Sequence, residues 1–104
     1  MPKLTIHFSE SAVTDLEALK RWYSEQGVPD VGDRFITEIM GRVEVLYDHP
    51  DMGRVVPEFD QPFLREILHP PFRIVYLREP NKVQLIRVWR SERLRRLPAH
   101  MEET

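Results

Sequence analysis

Basic side chains are concentrated near the end of the chain. The densest stretch holds five arginines within ten residues, namely Arg87, Arg90, Arg93, Arg95 and Arg96. Trp89 lies among them. Guanidinium groups bind phosphates and carboxylates through paired hydrogen bonds, and an indole ring stacks on bases or apolar groups. The segment is therefore typical of a surface for nucleic acid or an acidic protein; the alternative is pairing with the chain's own acids, such as Glu38 and Glu44.

A second group of residues has the types needed for RNA cleavage. That reaction uses a general base for the 2′-hydroxyl, an acid for the leaving oxygen and cations near the phosphorus. The required types are present at Arg65, Glu66, His69 and Arg73. Each also has a structural alternative. Glu66 is expected to pair with Arg65 or Arg73, and His69 is expected to cap a hairpin end beside two prolines.

The sequence contains none of the familiar motifs of metal or cofactor chemistry. It has no cysteine, no glycine-rich phosphate loop and no nucleophile elbow, and its four histidines lack ligand spacing. No metal and no cofactor is therefore predicted. The lack of cysteine is consistent with a reducing compartment, and no segment has the pattern of a signal peptide or the roughly 20 apolar residues of a membrane helix. We expect a cytoplasmic protein that does not bind membranes.

Charge is divided unequally between the two halves of the chain. Residues 1–60 carry six Lys or Arg and twelve Asp or Glu, whereas residues 61–98 carry nine and three. Either the basic half meets a polyanion or an acidic protein, or the acidic half neutralises it within the fold. The length of 104 residues predicts a single domain over residues 1–104 with one core, in which residues 99–104 form a flexible tail.

Apolar periodicity predicts a strand followed by a helical hairpin. Residues 3–8 alternate apolar and polar side chains, as in a strand with one buried face. Ser9 is a good N-cap for a first amphipathic helix, which Gly27 ends. Pro29 opens a second amphipathic helix, and Pro50 closes it because the residue before a proline disfavours helix.

Three strands are predicted in the second half of the chain. They begin at Phe63, Phe72 and Val83 and are separated by short turns that contain proline, which indicates an antiparallel meander. Residues 51–62 are expected to form a loop with room for one extended turn near Val55. The predicted fold class is therefore α+β, with an N-terminal strand, an antiparallel helical hairpin and a three-stranded antiparallel meander, and the helices pack on one face of the sheet.

Two positions inside these elements predict close contacts. Alternation along the middle strand of the meander places Arg73 on one face with Val75 and Leu77, so its guanidinium group needs a partner. That partner is either internal, such as Glu66, or a bound ligand. Gly41 lies inside the second helix, where glycine lowers helix stability, and is expected to mark the close approach of another element, either the first helix or a partner.

Four segments, in this order and spacing, carry a family resemblance. They are GRVVPEF from Gly53, LREIL from Leu64, FRIVY from Phe72 and VQLIRVWRSER from Val83. With the leading strand and the helical hairpin they cover nearly the whole chain. The chain resembles the ParE/RelE superfamily of toxins from bacterial type II toxin–antitoxin systems, and its GRVVPEF and REIL segments are more similar to the ParE branch.

The resemblance implies one of two activities. RelE-like members are ribosome-dependent mRNA endonucleases, whereas ParE-like members inhibit DNA gyrase by stabilising its cleaved-DNA complex and are not nucleases. Arg73 matches an arginine that the nucleases use near the scissile phosphate, but gyrase-directed members share it. The resemblance also implies that a nuclease has a tyrosine or histidine beyond the last strand. No tyrosine or histidine occurs between Val88 and His100, so the nuclease pattern is incomplete. Gyrase inhibition is therefore preferred to RNA cleavage.

The resemblance also implies an antitoxin whose C-terminal segment wraps the toxin. We expect that segment to lay a helix or a strand over the apolar stripe between helices and sheet, burying Trp22 and Tyr23. The residues predicted to bind the target or the antitoxin are Arg73, Arg87, Trp89, Arg90, Arg93, Arg95, Arg96, Trp22 and Tyr23. A third interpretation is a protein-binding module that has no toxic target.

Overall fold

The computed structural model describes residues 4–90. In chain order they form β1 (Thr5–Phe8), α1 (Glu10–Glu25), α2 (Pro29–Glu44), a 3-10 helix (Val45–Tyr47), β2 (Arg54–Val55), β3 (Leu64–His69), β4 (Phe72–Glu79) and β5 (Lys82–Arg90). The strands form one sheet in the order β1-β5-β4-β3-β2. The α+β prediction is confirmed. Neither helix in this part of the chain has the length and apolar character needed to cross a membrane.

The sheet differs from the predicted meander at both of its edges. β1 lies parallel to β5 and pairs with it over all four of its residues, because the helical hairpin provides the crossover that a parallel pair requires. The segment predicted as a loop contributes β2, which pairs antiparallel with Arg65 and Glu66 of β3. The three strands of the predicted meander are β3, β4 and β5, and they pair antiparallel as expected.

The ends of the two helices follow the sequence signals in part. Ser9 Oγ accepts a hydrogen bond from the Ala12 amide at 3.1 Å, as predicted for the N-cap of α1. Gly27 has a φ of 81°, the left-handed conformation that favours glycine after a helix. Helix α2 ends at Glu44, earlier than predicted, because the next three residues tighten into the 3-10 helix.

The first helix does not approach Gly41, so that prediction is wrong, whereas the approach of a partner stays a prediction. This residue is exposed, and a Cβ added there would meet nothing within 4 Å. The close approach occurs at Gly32, where a Cβ would lie 3.0 Å from Tyr23 Cβ on α1. Gly32 continues the buried stripe of Ile39 and Val43, whereas Gly41 lies on the other side of the helix.

Replacing Gly41 with alanine is expected to raise the free energy of unfolding by about 0.5–1 kcal/mol, because alanine has the higher helix propensity and the site is open. Gly32→Ala is the matched control on the same helix. Its added methyl group presses on Tyr23, so it should be at least about 1 kcal/mol less stable than Gly41→Ala. Urea unfolding followed by circular dichroism measures both. Equal effects of the two substitutions would contradict this assignment of the helix faces.

Each face of the sheet carries an apolar cluster, whereas the sequence predicted one core. The larger cluster lies between the helices and the sheet and includes Ile39, Leu46, Ile74, Tyr76 and Leu85. The smaller cluster lies on the opposite, outer face and contains Val56, Leu64, Val75, Ile86 and Trp89. The predicted alternation along β4 is confirmed. The loop after β2 covers the outer face, which explains how so short a chain buries both sides.

Candidate functional site

A groove of about 500 Å³ lies between α1 and the end of β5. It brings together five of the residues predicted to bind a partner: Trp22, Tyr23, Arg87, Trp89 and Arg90. Trp22 and Tyr23 lie on α1, and the other three residues lie on β5, far away in the sequence. The packing of α1 on β5 makes them neighbours. Arg73 does not line this groove, and Arg93, Arg95 and Arg96 lie outside the described residues, as does the predicted tail.

Aromatic rings surround Arg90 in the groove. Its Cζ atom lies 5.5 Å from the centre of the Trp22 ring and 5.7 Å from that of Phe72. Its Nη1 donates to the Tyr23 hydroxyl at 3.3 Å. Tyr23 is buried, whereas Trp22 is 47% exposed and forms the rim. The rings fix the orientation of the guanidinium group and leave one large aromatic surface open to a partner.

Arg87 is paired with an acid on α1. Its Nε and Nη2 donate to the two carboxylate oxygens of Asp15 at 2.7 and 2.8 Å. Pairing with the acidic helices was one of the alternatives for these arginines, but the acids named were Glu38 and Glu44. The partner is Asp15, which sequence reasoning missed. The one sequence signal for Asp15 was its position at the border of the apolar stripe of α1. Asp15 and Arg87 are 72 residues apart in the sequence.

Trp89 belongs to the smaller apolar cluster. Its side chain is 3% exposed, and its ring centre lies 6.4 Å from that of Phe59 in the loop over the outer face. A shift of register in the β4–β5 pairing beside Val75 lets Ile86 and Trp89 face the same side of the sheet. Trp89 therefore packs in the apolar core and does not present an open ring face for base stacking.

Arg73 is buried on the outer face between two carboxylates. Its Nε donates to Glu66 Oε1 at 2.6 Å, and its Nη1 and Nη2 donate to the two oxygens of Glu58 at 2.8 and 2.7 Å. Glu66 also accepts from Arg54 Nε at 2.7 Å. Two carboxylates thus balance two guanidinium groups. We call these four residues the outer charge cluster: Arg54, Glu58, Glu66 and Arg73. Arg73 has the internal partner that was one of its two alternatives, and Glu58 is a partner that sequence reasoning missed.

A buried tyrosine ties down the segment just before β2, which leads into the loop that supplies Glu58. The Tyr76 hydroxyl donates to the Pro50 carbonyl at 2.8 Å and accepts from the Gly53 amide at 3.0 Å. A Cβ on Gly53 would lie 2.7 Å from the Tyr76 ring, so only glycine fits this approach. Burial raises the pKa of Tyr76, which keeps the hydroxyl protonated as a donor.

The residues suggested for RNA cleavage lie on two faces of the sheet. Glu66 and Arg73 are on the outer face, in the outer charge cluster. Arg65 lies on the helical side, where its Nη1 donates to the Gly53 carbonyl at 2.9 Å. His69 is on the same side as Arg65, and its Nε2 lies 2.9 Å from Glu38 Oε1 on α2. Successive strand residues point to opposite faces, so the set is divided into two pairs.

Acid is expected to weaken the fold through Glu58. Hydrogen bonds from Arg73 lower the pKa of Glu58 from 4.5 to about 2. Since the folded pKa lies below the unfolded one, its contribution is complete above about pH 4.5 and is lost as the pH falls towards 2. Glu58→Gln should therefore be less stable than the wild type at pH 7 and approach it near pH 2. Urea unfolding across this pH range measures the difference in stability, and Glu17→Gln at an exposed position is the control. A difference that stays constant with pH would contradict the lowered pKa of Glu58.

The comparisons with known proteins agree with the fold. The sequence profile of the family described as "ParE toxin of type II toxin-antitoxin system, parDE" matches residues 6–95. A solved chain described as "Chromosomal ParDE TA system from P. aeruginosa" superposes with a TM-score of 0.72 and 21% identity, over 86% of this chain and 98% of that chain. No curated protein sequence matches significantly. The profile match spans both the groove and the outer charge cluster, and the chain belongs to the ParE family of toxins from type II toxin–antitoxin systems.

Proposed function

We propose that this toxin, when it is not bound by its antitoxin, inhibits DNA gyrase by stabilising the cleaved-DNA complex. The observation that carries the proposal is family membership over residues 6–95. The resemblance to the ParE branch implies gyrase as the target. Among the described residues, the groove supports a role in protein recognition, because its chemistry is that of an aromatic and basic contact surface.

The cognate antitoxin is the proposed occupant of the groove. An exposed Trp22 beside Tyr23 and Arg90 supplies the three residue types most frequent at the energetic centres of protein interfaces. A segment lying over Trp22 would remove its apolar surface from water. It would also contact the Arg90 guanidinium, which the rings hold in one orientation and which therefore loses little entropy on binding.

The outer charge cluster favours gyrase inhibition over RNA cleavage. An arginine that stabilises a scissile phosphate must direct its N–H groups at the phosphate oxygens. In the toxin, Nε, Nη1 and Nη2 of Arg73 all donate to carboxylates, and the side chain is 8% exposed. A phosphate would have to displace Glu58 against like-charge repulsion. RNA cleavage through Arg73 would therefore require a rearrangement of the outer charge cluster.

A supercoiling reaction tests the proposed target directly. Antitoxin-free toxin is added to DNA gyrase, relaxed plasmid and ATP, and supercoiled and cleaved plasmid are both quantified. We expect supercoiling to fall and cleaved DNA to accumulate, and prior addition of the antitoxin should prevent both. A protein that arrests growth but leaves gyrase unaffected would transfer the proposal to mRNA cleavage on ribosomes. A protein that does neither would be a binding module without a toxic target.

The antitoxin itself is identified by co-expression. Reading frames adjacent to the toxin gene are expressed with the toxin, and the one that restores growth is purified in complex with it. We expect a small protein with a DNA-binding part and an amphipathic or acidic tail. A Trp22→Ala toxin that still arrests growth but is no longer rescued would support the groove as the antitoxin site.

A further inference from the structure

The free edge of β1 is an open end of the sheet. β1 pairs with β5 along one side, and no described strand lies along its other side. Backbone groups at such an edge are a template for pairing with a strand of another chain. None of the described residues that line the groove belongs to β1, so a partner at this edge would leave the groove open.

The hydrogen bonds of β1 determine which of its backbone groups point outwards. The amides of Thr5 and Ser9 donate to carbonyls on the β5 side of the strand, at 3.1 and 2.8 Å. Because the amides of successive strand residues point in opposite directions, those of Ile6 and Phe8 point away from β5. They are thus placed for pairing with a further strand in the plane of the sheet.

The side chains along this edge lack the usual protection against pairing. Edge strands of soluble proteins commonly carry charged side chains, a proline or a β-bulge. Residues 4–8 include no charged residue and no proline, and the pairing of β1 with β5 has no shift of register. A shallow cleft of about 600 Å³ is lined by residues 4–7 and by Tyr47, whose side chain is 51% exposed. The edge is therefore open and largely apolar.

Other stretches of strand edge in this sheet are covered by polar side chains. Where β5 extends beyond β1, Ser9 Oγ donates to the Ile86 carbonyl at 3.2 Å. Where β3 extends beyond β2, Arg42 Nη2 donates to the Leu68 carbonyl at 3.3 Å. Within residues 4–90, no side chain makes such a bond to the outward backbone groups of β1. The free edge of β1 differs from these covered stretches.

The residues of this edge are complementary to a second copy of themselves in antiparallel orientation. When the Ile6 residues of two copies are opposite each other, Leu4 of one copy faces Phe8 of the other, and Thr5 faces His7. Leu4, Ile6 and Phe8 pack against the larger apolar cluster, whereas Thr5 and His7 are exposed. Apolar side chains thus meet apolar ones, and polar side chains meet polar ones. The hydrogen-bonded positions of this pair are those whose amides point outwards.

We propose that the free toxin forms a symmetric dimer in which two β1 strands pair antiparallel about Ile6 and join the sheets of both copies into one. Tyr47 lies beside β1 in each copy and adds apolar surface to the contact. So short a strand pair makes a small interface, for which we expect a dissociation constant in the micromolar range. The inference does not rest on the proposed function, because the dimer uses residues outside the groove.

Hydrogen exchange of the antitoxin-free toxin tests the strand pairing without any substitution. From about 5 to about 500 µM protein, the exchange of the Ile6 and Phe8 amides should slow by at least about threefold, because these amides gain acceptors in the dimer. The Thr5 amide already donates within the fold and is the control, whose exchange should not change. Exchange of Ile6 and Phe8 that is independent of concentration would overturn the proposal. Protection that arises only when the antitoxin is added would assign the edge to the antitoxin and also overturn it.

Two matched double variants test the register of the strand pair. Thr5→Glu with His7→Glu places acids opposite each other in the dimer, whereas Thr5→Glu with His7→Lys places opposite charges there. Both positions are exposed and Thr5 lies beside Lys82 of β5, so both variants should fold. Sedimentation equilibrium should give the first variant a dissociation constant at least about tenfold higher than that of the second. Equal constants would overturn the pairing about Ile6.

Discussion

Replacing Arg73 with methionine is expected to lower the free energy of unfolding by about 3–5 kcal/mol, because it removes one partner of a buried ionic network. Glu66 is buried and would keep only Arg54, which is largely exposed. Glu58 would lose both of its hydrogen bonds from Arg73. Because methionine fills a volume similar to that of arginine, the lower stability comes from the carboxylates left without a partner and not from a cavity. Urea unfolding at pH 7 measures it.

Two further variants make this result specific to the outer charge cluster. Arg78→Met removes a pair with the exposed Asp51 and should cost no more than about 1 kcal/mol. Replacing Glu58, Glu66 and Arg73 together with apolar residues should recover most of the loss, because no buried charge then lacks a partner. If Arg73→Met lowers the free energy of unfolding by less than about 1 kcal/mol, the carboxylates of Glu58 and Glu66 do not need Arg73 as a partner.

Truncating Trp22 to alanine is expected to weaken antitoxin binding by at least about 30-fold, which corresponds to roughly 2 kcal/mol for a residue at the centre of an interface. Trp22 is the large exposed side chain of the groove, and burying its ring removes apolar surface from water. Because the side chain is 47% exposed in the free toxin, stability should change by less than about 1 kcal/mol. Titration calorimetry with the purified antitoxin measures the affinity.

An exposed aromatic residue elsewhere on the surface provides the control for Trp22. Tyr47 lies in the 3-10 helix beside β1 and does not line the groove. Tyr47→Ala should leave the antitoxin affinity within about threefold of the wild type. If the two substitutions weaken binding equally, or if Trp22→Ala has no effect, the antitoxin does not occupy the groove.

The sequence by itself determined most elements of the fold, although the two-residue strand β2 was predicted as part of a loop. The strand before the helices, the cap at Ser9 and the alternation along β4 follow from local periodicity and from the preferences of single residues, which act over a few positions of the chain. The ParE resemblance could be read from the same stretches because its segments coincide with these elements. The groove residues Trp22 and Arg90 were identified by type, without knowledge that they would meet.

The partners of the charged residues were decided by the tertiary structure. Asp15 finds Arg87 because α1 packs beside the end of β5, and Glu58 finds Arg73 because the loop after β2 folds over the outer face. An ion pair forms between whichever opposite charges the packing brings within a few ångströms, so sequence spacing does not specify it. The helix phase that buries Gly32 and exposes Gly41 follows from the same packing. Local chemistry therefore set the elements, and their packing set which side chains bind one another and which stay open to a partner.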